Sequence, residues 1–304
     1  MKKFLIASLI GSSLFGYQYH LSINSMLITD DFGNLYKERE VKKIKPTYYN
    51  VLPYLGYIDY SGSTNKDNGI VGGIYLSATQ SPWTTELDVE HTNIKHNDGS
   101  DDLRQSDYTM IIHHAENNIA IKGGMHYINS TDDLTDGGKV LIGSIGYYRA
   151  YKCNVGMDVY YSDYSNLSTS PTILQFSPKM GVDFGDYYSK VGSFYAQAKI
   201  DFIKPLKNKS ANNLSSSYTS IEGTLNNYKG RFTTSLSAWV GKRSFAVENS
   251  GFIVNNLADE QKGGFKVSEN VRLTSKDSVR LEYSYTKLTD YDTKTIVASY
   301  NYKF

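Results

Sequence analysis

The chain has 304 residues, with 32 Lys+Arg against 31 Asp+Glu, and 40% of it is hydrophobic. This near-balance of charge argues against a nucleic-acid partner, because phosphate binding needs clustered positive charge. Six prolines and a single cysteine exclude collagen-like chains, disulfide scaffolds and four-cysteine zinc modules, while 27 tyrosines make Tyr the compositional outlier.

In chain order, Met1-Lys2-Lys3 is a basic start to an apolar run from Phe4 to Ile10, with small residues up to Gly16. This reads as a secretory signal over residues 1–16, and the chain is expected to be exported. Residues 17–46 are harder to place. Leu21 to Thr29 suits a strand, but seven of the eleven residues from Leu35 to Lys45 are charged and cannot face lipid. The segment reads as a periplasmic extension, a lumen plug or an extra strand. From residue 47 to 304 the chain alternates with period two, the signal of strands with two different faces.

Fourteen strands are expected near 49–60, 70–79, 83–94, 106–115, 118–128, 139–149, 152–162, 172–184, 188–203, 216–226, 231–242, 264–274, 277–288 and 293–304. The last three are clearest. Val279, Leu281, Tyr283 and Tyr285 alternate with Arg280, Glu282, Ser284 and Thr286, and Ile296, Ala298, Tyr300, Tyr302 and Phe304 alternate with a mostly polar set. Pro53 and Pro178 fall inside strands, where a bulge or strand end is expected. Odd-numbered links such as Lys95–Gln105, Lys204–Ser215 and Arg243–Gly263 are long and polar, with the last, Thr289–Asp292, a short exception. Even-numbered ones such as Glu116–Asn117, Gly185–Tyr187 and Ser275–Lys276 are tight. Long loops on one rim and short turns on the other fit a barrel that spans a bilayer, where every backbone group must be paired and no edge can remain. The apolar parity then faces lipid, and Tyr54, Tyr57, Tyr60, Tyr147, Tyr161, Tyr283 and Tyr285 suit the aromatic girdles at the interfaces.

The signal segment, the strand pattern and the ending Tyr300-Asn301-Tyr302-Lys303-Phe304 together resemble a Gram-negative outer-membrane β-barrel of porin type. No residue motif ties the chain to one named family; the nearest architectural analogues are fourteen-stranded monomeric channels. The expected fold is all-β: a closed antiparallel up-and-down transmembrane barrel of about fourteen strands, with twelve or sixteen as alternatives. The resemblance implies the outer membrane as location and lipid and lipopolysaccharide as surroundings. It also implies Tyr300, Tyr302 and Phe304 as a signal to the barrel-assembly machinery.

On the polar parity, Glu86, Asp88 and Glu90 form an acidic arc, and Lys266, Arg272, Arg280 and Lys303 form a basic arc with Glu282 among them. Lys122, Asp158, Asp183, Lys199, Asp201 and Glu222 add mixed charge on other strands. A wall this charged is expected to be wet, the alternative being that the charges pair into salt-bridge ladders that fill the barrel. The expected function is passive diffusion of small hydrophilic solutes or ions, by size exclusion and a field between the arcs, without catalysis, cofactor or metal. The alternative is a structural or adhesive barrel binding lipopolysaccharide or a partner through its loops. A rim-site hydrolase using Asp101-Asp102 or Asp132-Asp133 is a third reading. His113-His114 points to opposite faces of a strand and cannot chelate one metal. The 21-residue link Arg243–Gly263 mixes Phe245, Phe252, Ile253 and Val254 with Glu248, Asp259 and Glu260. Two readings of it are open: part of it folds inward, which places these acids near Lys266 and Arg272, or the whole link is a mobile surface loop.

Overall fold

A computed structural model describes residues 47–149, 152–164, 167–256 and 259–304. The readings of residues 1–16 and 17–46 lie outside them. In chain order the strands are β1 (Tyr48–Ser61), β2 (Lys66–Gln80), β3 (Trp83–His96), β4 (Leu103–Glu116), β5 (Ile119–Ser130), β6 (Lys139–Arg149), β7 (Cys153–Asp163) and β8 (Thr172–Gly185). They continue with β9 (Ser193–Lys207), β10 (Tyr218–Lys229), β11 (Phe232–Arg243), two short strands β12 (Val247–Glu248) and β13 (Ile253–Val254), then β14 (Gln261–Arg272), β15 (Asp277–Leu288) and β16 (Asp292–Lys303). Fourteen of them close into one antiparallel barrel, with β16 returning to pair with β1. β12 and β13 pair only with each other.

Strand parity decides which side chain meets which medium. Outward positions are aliphatic or aromatic along most of the circuit, as with Leu55, Ile70, Ile121, Leu141, Met180, Leu236, Leu281 and Ile296, all exposed. This is the apolar belt a lipid-facing sheet requires. The tyrosines divide: Tyr57, Tyr147 and Tyr161 are exposed on this belt and Tyr283 and Tyr285 are half-buried there. Tyr54 and Tyr60, expected in the girdles, are instead buried in the lumen, because they share the inward parity with Leu52 and Ile58.

The links at one rim, 81–82, 117–118, 150–152, 230–231 and 273–276, are short. The exception is 186–192, read from sequence as a tight turn at Gly185–Tyr187. There Ser189 N donates to Asp186 O and Gly192 N to Ser189 O, so the chain makes two consecutive turns before β9 begins at Ser193. At the other rim the first link shrinks to 62–65, because β2 already begins at Lys66, while 208–217 and 244–260 are long. Pro53 and Pro178 cause neither a bulge nor a strand end. The β1–β16 ladder skips from Val51 to Tyr54, and the β8–β9 ladder from Phe176 to Lys179, both without a register shift. Each proline sits where one rung is simply omitted.

The lumen has two halves. Towards the long-loop rim Ile58, Ile94, Ile128, Val140, Tyr164 and Ile173 point inward and are buried together with Phe245, Phe252 and Val254. The apolar parity is therefore not exclusively lipid-facing. This half of the barrel is filled by side chains packed around segment 244–256, which enters the barrel, with buried polar groups such as Lys66, Gln105 and Asp107 among them. Towards the short-turn rim the lumen is polar and hollow.

Candidate functional site

The inserted segment is built as a small hairpin. Phe245-Ala246-Val247 and Phe252-Ile253-Val254 flank Asn249-Ser250-Gly251, and Val247 pairs with Val254 across it. Asn249, Ser250 and Gly251 all have positive φ. At Gly251 a Cβ would collide with Ile142, so the turn needs glycine for space as well as backbone freedom. Phe245 also has a φ of 53°, a conformation costing an aromatic residue about 1–3 kcal/mol, and it is held there fully buried.

Wall side chains grip this hairpin by its backbone and its one acid. The Gln175 amide imitates a neighbouring strand, donating Nε2 to Val247 O and accepting from Val247 N, both at 2.8 Å. Lys122 Nζ donates to Ser250 O at 2.8 Å, and Asn256 Nδ2 to Gln105 Oε1 at 2.8 Å. Phe252 packs edge-on to Tyr75 with centroids 5.7 Å apart. Glu248 accepts from Arg243 Nη1 at 3.1 Å, Lys266 Nζ at 3.3 Å and Asn255 Nδ2 at 2.9 Å. Burial alone would raise the Glu248 carboxyl, but Lys266 and Arg243 together hold it below its ordinary value.

Arg243 is the hub. Fully buried, it places Nη2 2.8 Å from both Asp201 and Glu222, donates Nε to Ser220 at 2.6 Å, and stacks 4.1 Å from the Trp239 ring. Read from sequence it was merely the boundary of a link. The missed signal was the pair of apolar triplets around Asn-Ser-Gly, a hairpin pattern inside an apparent loop.

Below the hairpin a polar cavity runs towards the short-turn rim and opens there to solvent. Val247, Glu248, Asn249 and Ser250 line its inner end, and Arg149, Asn154 and Asp183 lie at its mouth. Four ion pairs stand in its wall: Lys179–Asp158 at 2.7 Å, Lys199–Glu222 at 3.2 Å, Lys266–Glu248 at 3.3 Å and Arg280–Glu282 at 3.1 Å. Lys122 is buried 3.6 Å from Asp158 on the far side of that carboxylate. Of the basic arc read from sequence, Lys266 and Arg280 thus hold carboxylates of their own, and Arg272 and Lys303 lie exposed at the short-turn end. The arc is an alternation of signs, because the insert supplies Glu248 and neighbouring strands supply Glu222 and Asp201.

The acidic arc sits elsewhere in the wall and does not line this cavity. Tyr54 donates to Asp88 at 3.2 Å and Glu90 at 3.0 Å, while Glu86 contacts Tyr75 and His113. Asp107, unnoticed in the sequence, accepts from Gln105 at 2.8 Å and lies 3.3 Å from His126. The phenol end of Tyr54 lies over Gly73 on β2, where any Cβ would overlap it. His114 points outward, beside Trp83 and Glu116. Asp259 lies 3.7 Å from buried Lys66 and accepts from Tyr291, and Glu260 pairs with Lys242 at 2.9 Å, so neither acid reaches Lys266. Asp132 caps the turn at Thr135, and Asp102 accepts from His96 N. Among the described residues no three His, Cys, Asp or Glu side chains converge as a metal site.

Solved structures of similar fold are outer-membrane barrels. A bacterial polysaccharide outer membrane secretin shares 9% identity over 84% of this chain and 98% of its own, at a TM-score of 0.51. The monoaromatic hydrocarbon channel CymD shares 6% over 84% and 87%, at 0.50. The toluene transporter TbuX of Ralstonia pickettii shares 6% over 84% and 88%, also at 0.50. No family model matches the chain, and no curated protein matches it. The likeness is one of fold: a closed fourteen-stranded barrel of the outer-membrane kind.

Proposed function

We propose that this protein is an outer-membrane channel through which small hydrophilic solutes diffuse passively, with the inserted hairpin setting the width of the path. The observation that carries this reading is the hollow, charged half of the lumen, open at the short-turn rim and walled by ionic and hydroxylated side chains. A barrel serving only as a scaffold has no physical reason to keep such groups inside, since desolvating them is costly and an apolar filling would be tighter. Two barrels of similar fold are described by aromatic hydrocarbons. The polar wall of this cavity favours water-soluble molecules instead. Transport is by size exclusion at the hairpin and needs no reaction. Of the acids in the rim-hydrolase reading, Asp132 caps the turn at Thr135 and Asp102 accepts from His96 N, which supports a non-enzymatic reading.

In this proposal residues 1–16 direct export and the long loops face outward towards lipopolysaccharide. Tyr300, Tyr302 and Phe304 are what the assembly machinery reads. Tyr302 and Phe304 form one edge-to-face aromatic pair at 4.8 Å at the end of the last strand. A second reading, a closed structural or adhesive barrel, draws on the close packing of the long-loop half. Single-channel recording in planar bilayers separates the two. Unitary steps from the intact protein, larger once residues 246–256 are replaced by a short turn, are expected of the channel. Silence from both proteins would reject it.

A further inference from the structure

Resting on the channel reading, we infer that the cavity is selective for small uncharged, hydroxyl-rich solutes, a sugar or polyol, over ions of either sign. The first support is the pattern of charge. Five cations and five carboxylates line the space, so their formal sum is zero. Four of the five cations hold a carboxylate within 3.3 Å. A closely spaced pair acts at a distance as a dipole, whose field falls off faster than that of a single charge, and water and salt in the cavity screen what remains. An ion entering from the short-turn rim therefore gains no long-range attraction. To bind, it must displace a group already held in the wall, where Glu222 and Glu248 are also held by Arg243 and Asp158 by Lys122.

The second support is what stands between the pairs. Asn154 and Gln197 both donate to the Tyr195 phenol, at 2.9 and 2.8 Å, and Thr224 lies 2.9 Å from Ser237. Asn226 lines the same wall, is 4% exposed and leaves its Oδ1 without a partner among the described residues. A sugar hydroxyl both donates and accepts. It can give its proton to the carboxylate of a pair and take one from the neighbouring ammonium without separating them. It can also satisfy the side-chain amides. A simple ion offers only one of these roles.

The test is a reversal-potential measurement across a potassium chloride gradient, combined with swelling of proteoliposomes in glucose, gluconate and glucosamine, which are close in size. The intact protein is expected to pass potassium and chloride within about a factor of two of each other, and glucose faster than either charged analogue. Removing one charge should unbalance the cavity in a predictable direction. Arg280→Gln should favour cations and Glu282→Gln anions, each by roughly threefold, the effect of one unit charge felt across about 7 Å of water. Arg149→Gln and Asp183→Asn at the mouth form a second pair of opposite sign, should the buried variants fail to assemble. Strong ion selectivity in the intact protein, gluconate or glucosamine outrunning glucose, or both members of a pair shifting the same way would overturn the inference while leaving a channel. Absence of conductance in both the intact and hairpin-shortened proteins would remove the channel reading and this inference with it.

Discussion

Glu248→Ala is expected to loosen the inserted hairpin without opening the barrel. The carboxylate holds three donors, Arg243, Lys266 and Asn255, at 3.1, 3.3 and 2.9 Å. Breaking a buried ion pair by deleting one partner costs about 3–5 kcal/mol. Here Arg243 keeps Asp201 and Glu222 at 2.8 Å, and Lys266 lines the solvent-open cavity, so about 2–3 kcal/mol is the fitting range for this site. At 1.36 kcal/mol per tenfold, that raises the population of the released hairpin by roughly 30- to 150-fold. Val254, fully buried in β13, is a suitable reporter. With Cys153→Ser removing the one native thiol, Val254→Cys should react with a small aqueous maleimide at a rate set by release of the hairpin, as in other local opening reactions. Adding Glu248→Ala should accelerate labelling within that range, and Glu248→Gln by less, because the amide oxygen still accepts from Asn255. Heat-modifiable mobility on gels should stay native, showing an intact barrel. A change in labelling below about threefold would refute the idea that this carboxylate holds the hairpin in place.

Leu281→Arg sets a charge against hydrocarbon and should cost about 2–4 kcal/mol in urea titration from vesicles; Ser235→Arg, on a cavity-lining position, should be tolerated and reduce conductance. Equal losses would cancel the assignment of faces. Gly73→Ala should drive the Tyr54 ring off β2 and away from Asp88 and Glu90, lowering stability by roughly 1–3 kcal/mol in the same titration. Because the Glu248 carboxyl is depressed in the folded state, its stabilisation is fully present above the ordinary carboxylate value and is lost only as pH falls further. Conductance should therefore be steady from pH 7 to about 5 and rise only below about 4.5, as the hairpin is released. A rise already at pH 6 would place the sensitive group elsewhere.

The circuit of strands was readable because a lipid-facing sheet imposes its parity on every spanning segment. Leu281 against Glu282, or Ile296 against Thr295, declare opposite media from chemistry alone. That logic fails where both faces are apolar. Tyr54, Ile58 and Tyr60 share a parity that sequence cannot assign to lipid or lumen, because the groups that meet them inside, Asp88 and Glu90 at Tyr54 and Tyr291 at Tyr60, come from other strands and loops. The inward charges announced themselves one strand at a time, and most of them do point inward. Their partners did not, since Arg243–Glu248 and Lys266–Glu248 depend on where the insert docks. The two arcs therefore became one alternating network. Phe245-Ala246-Val247 and Phe252-Ile253-Val254 around Asn-Ser-Gly were the legible trace of it.

The pairing of β1 with β16 runs from Ser61 opposite Asp292 to Asn50 opposite Lys303, and its last rung is Phe304 N donating to Tyr49 O at 3.0 Å. Apart from β11 with β14, every other junction in the ring joins strands adjacent in the chain. This one spans nearly the whole described length, so it carries the largest loop-closure entropy and should be the slowest to form. Until it forms, the growing sheet is a ribbon with two naked edges, each a template for mispairing with another copy. The protein's exposure to aggregation is thus concentrated in the interval before a single seam is drawn shut, and it ends with the addition of the final strand.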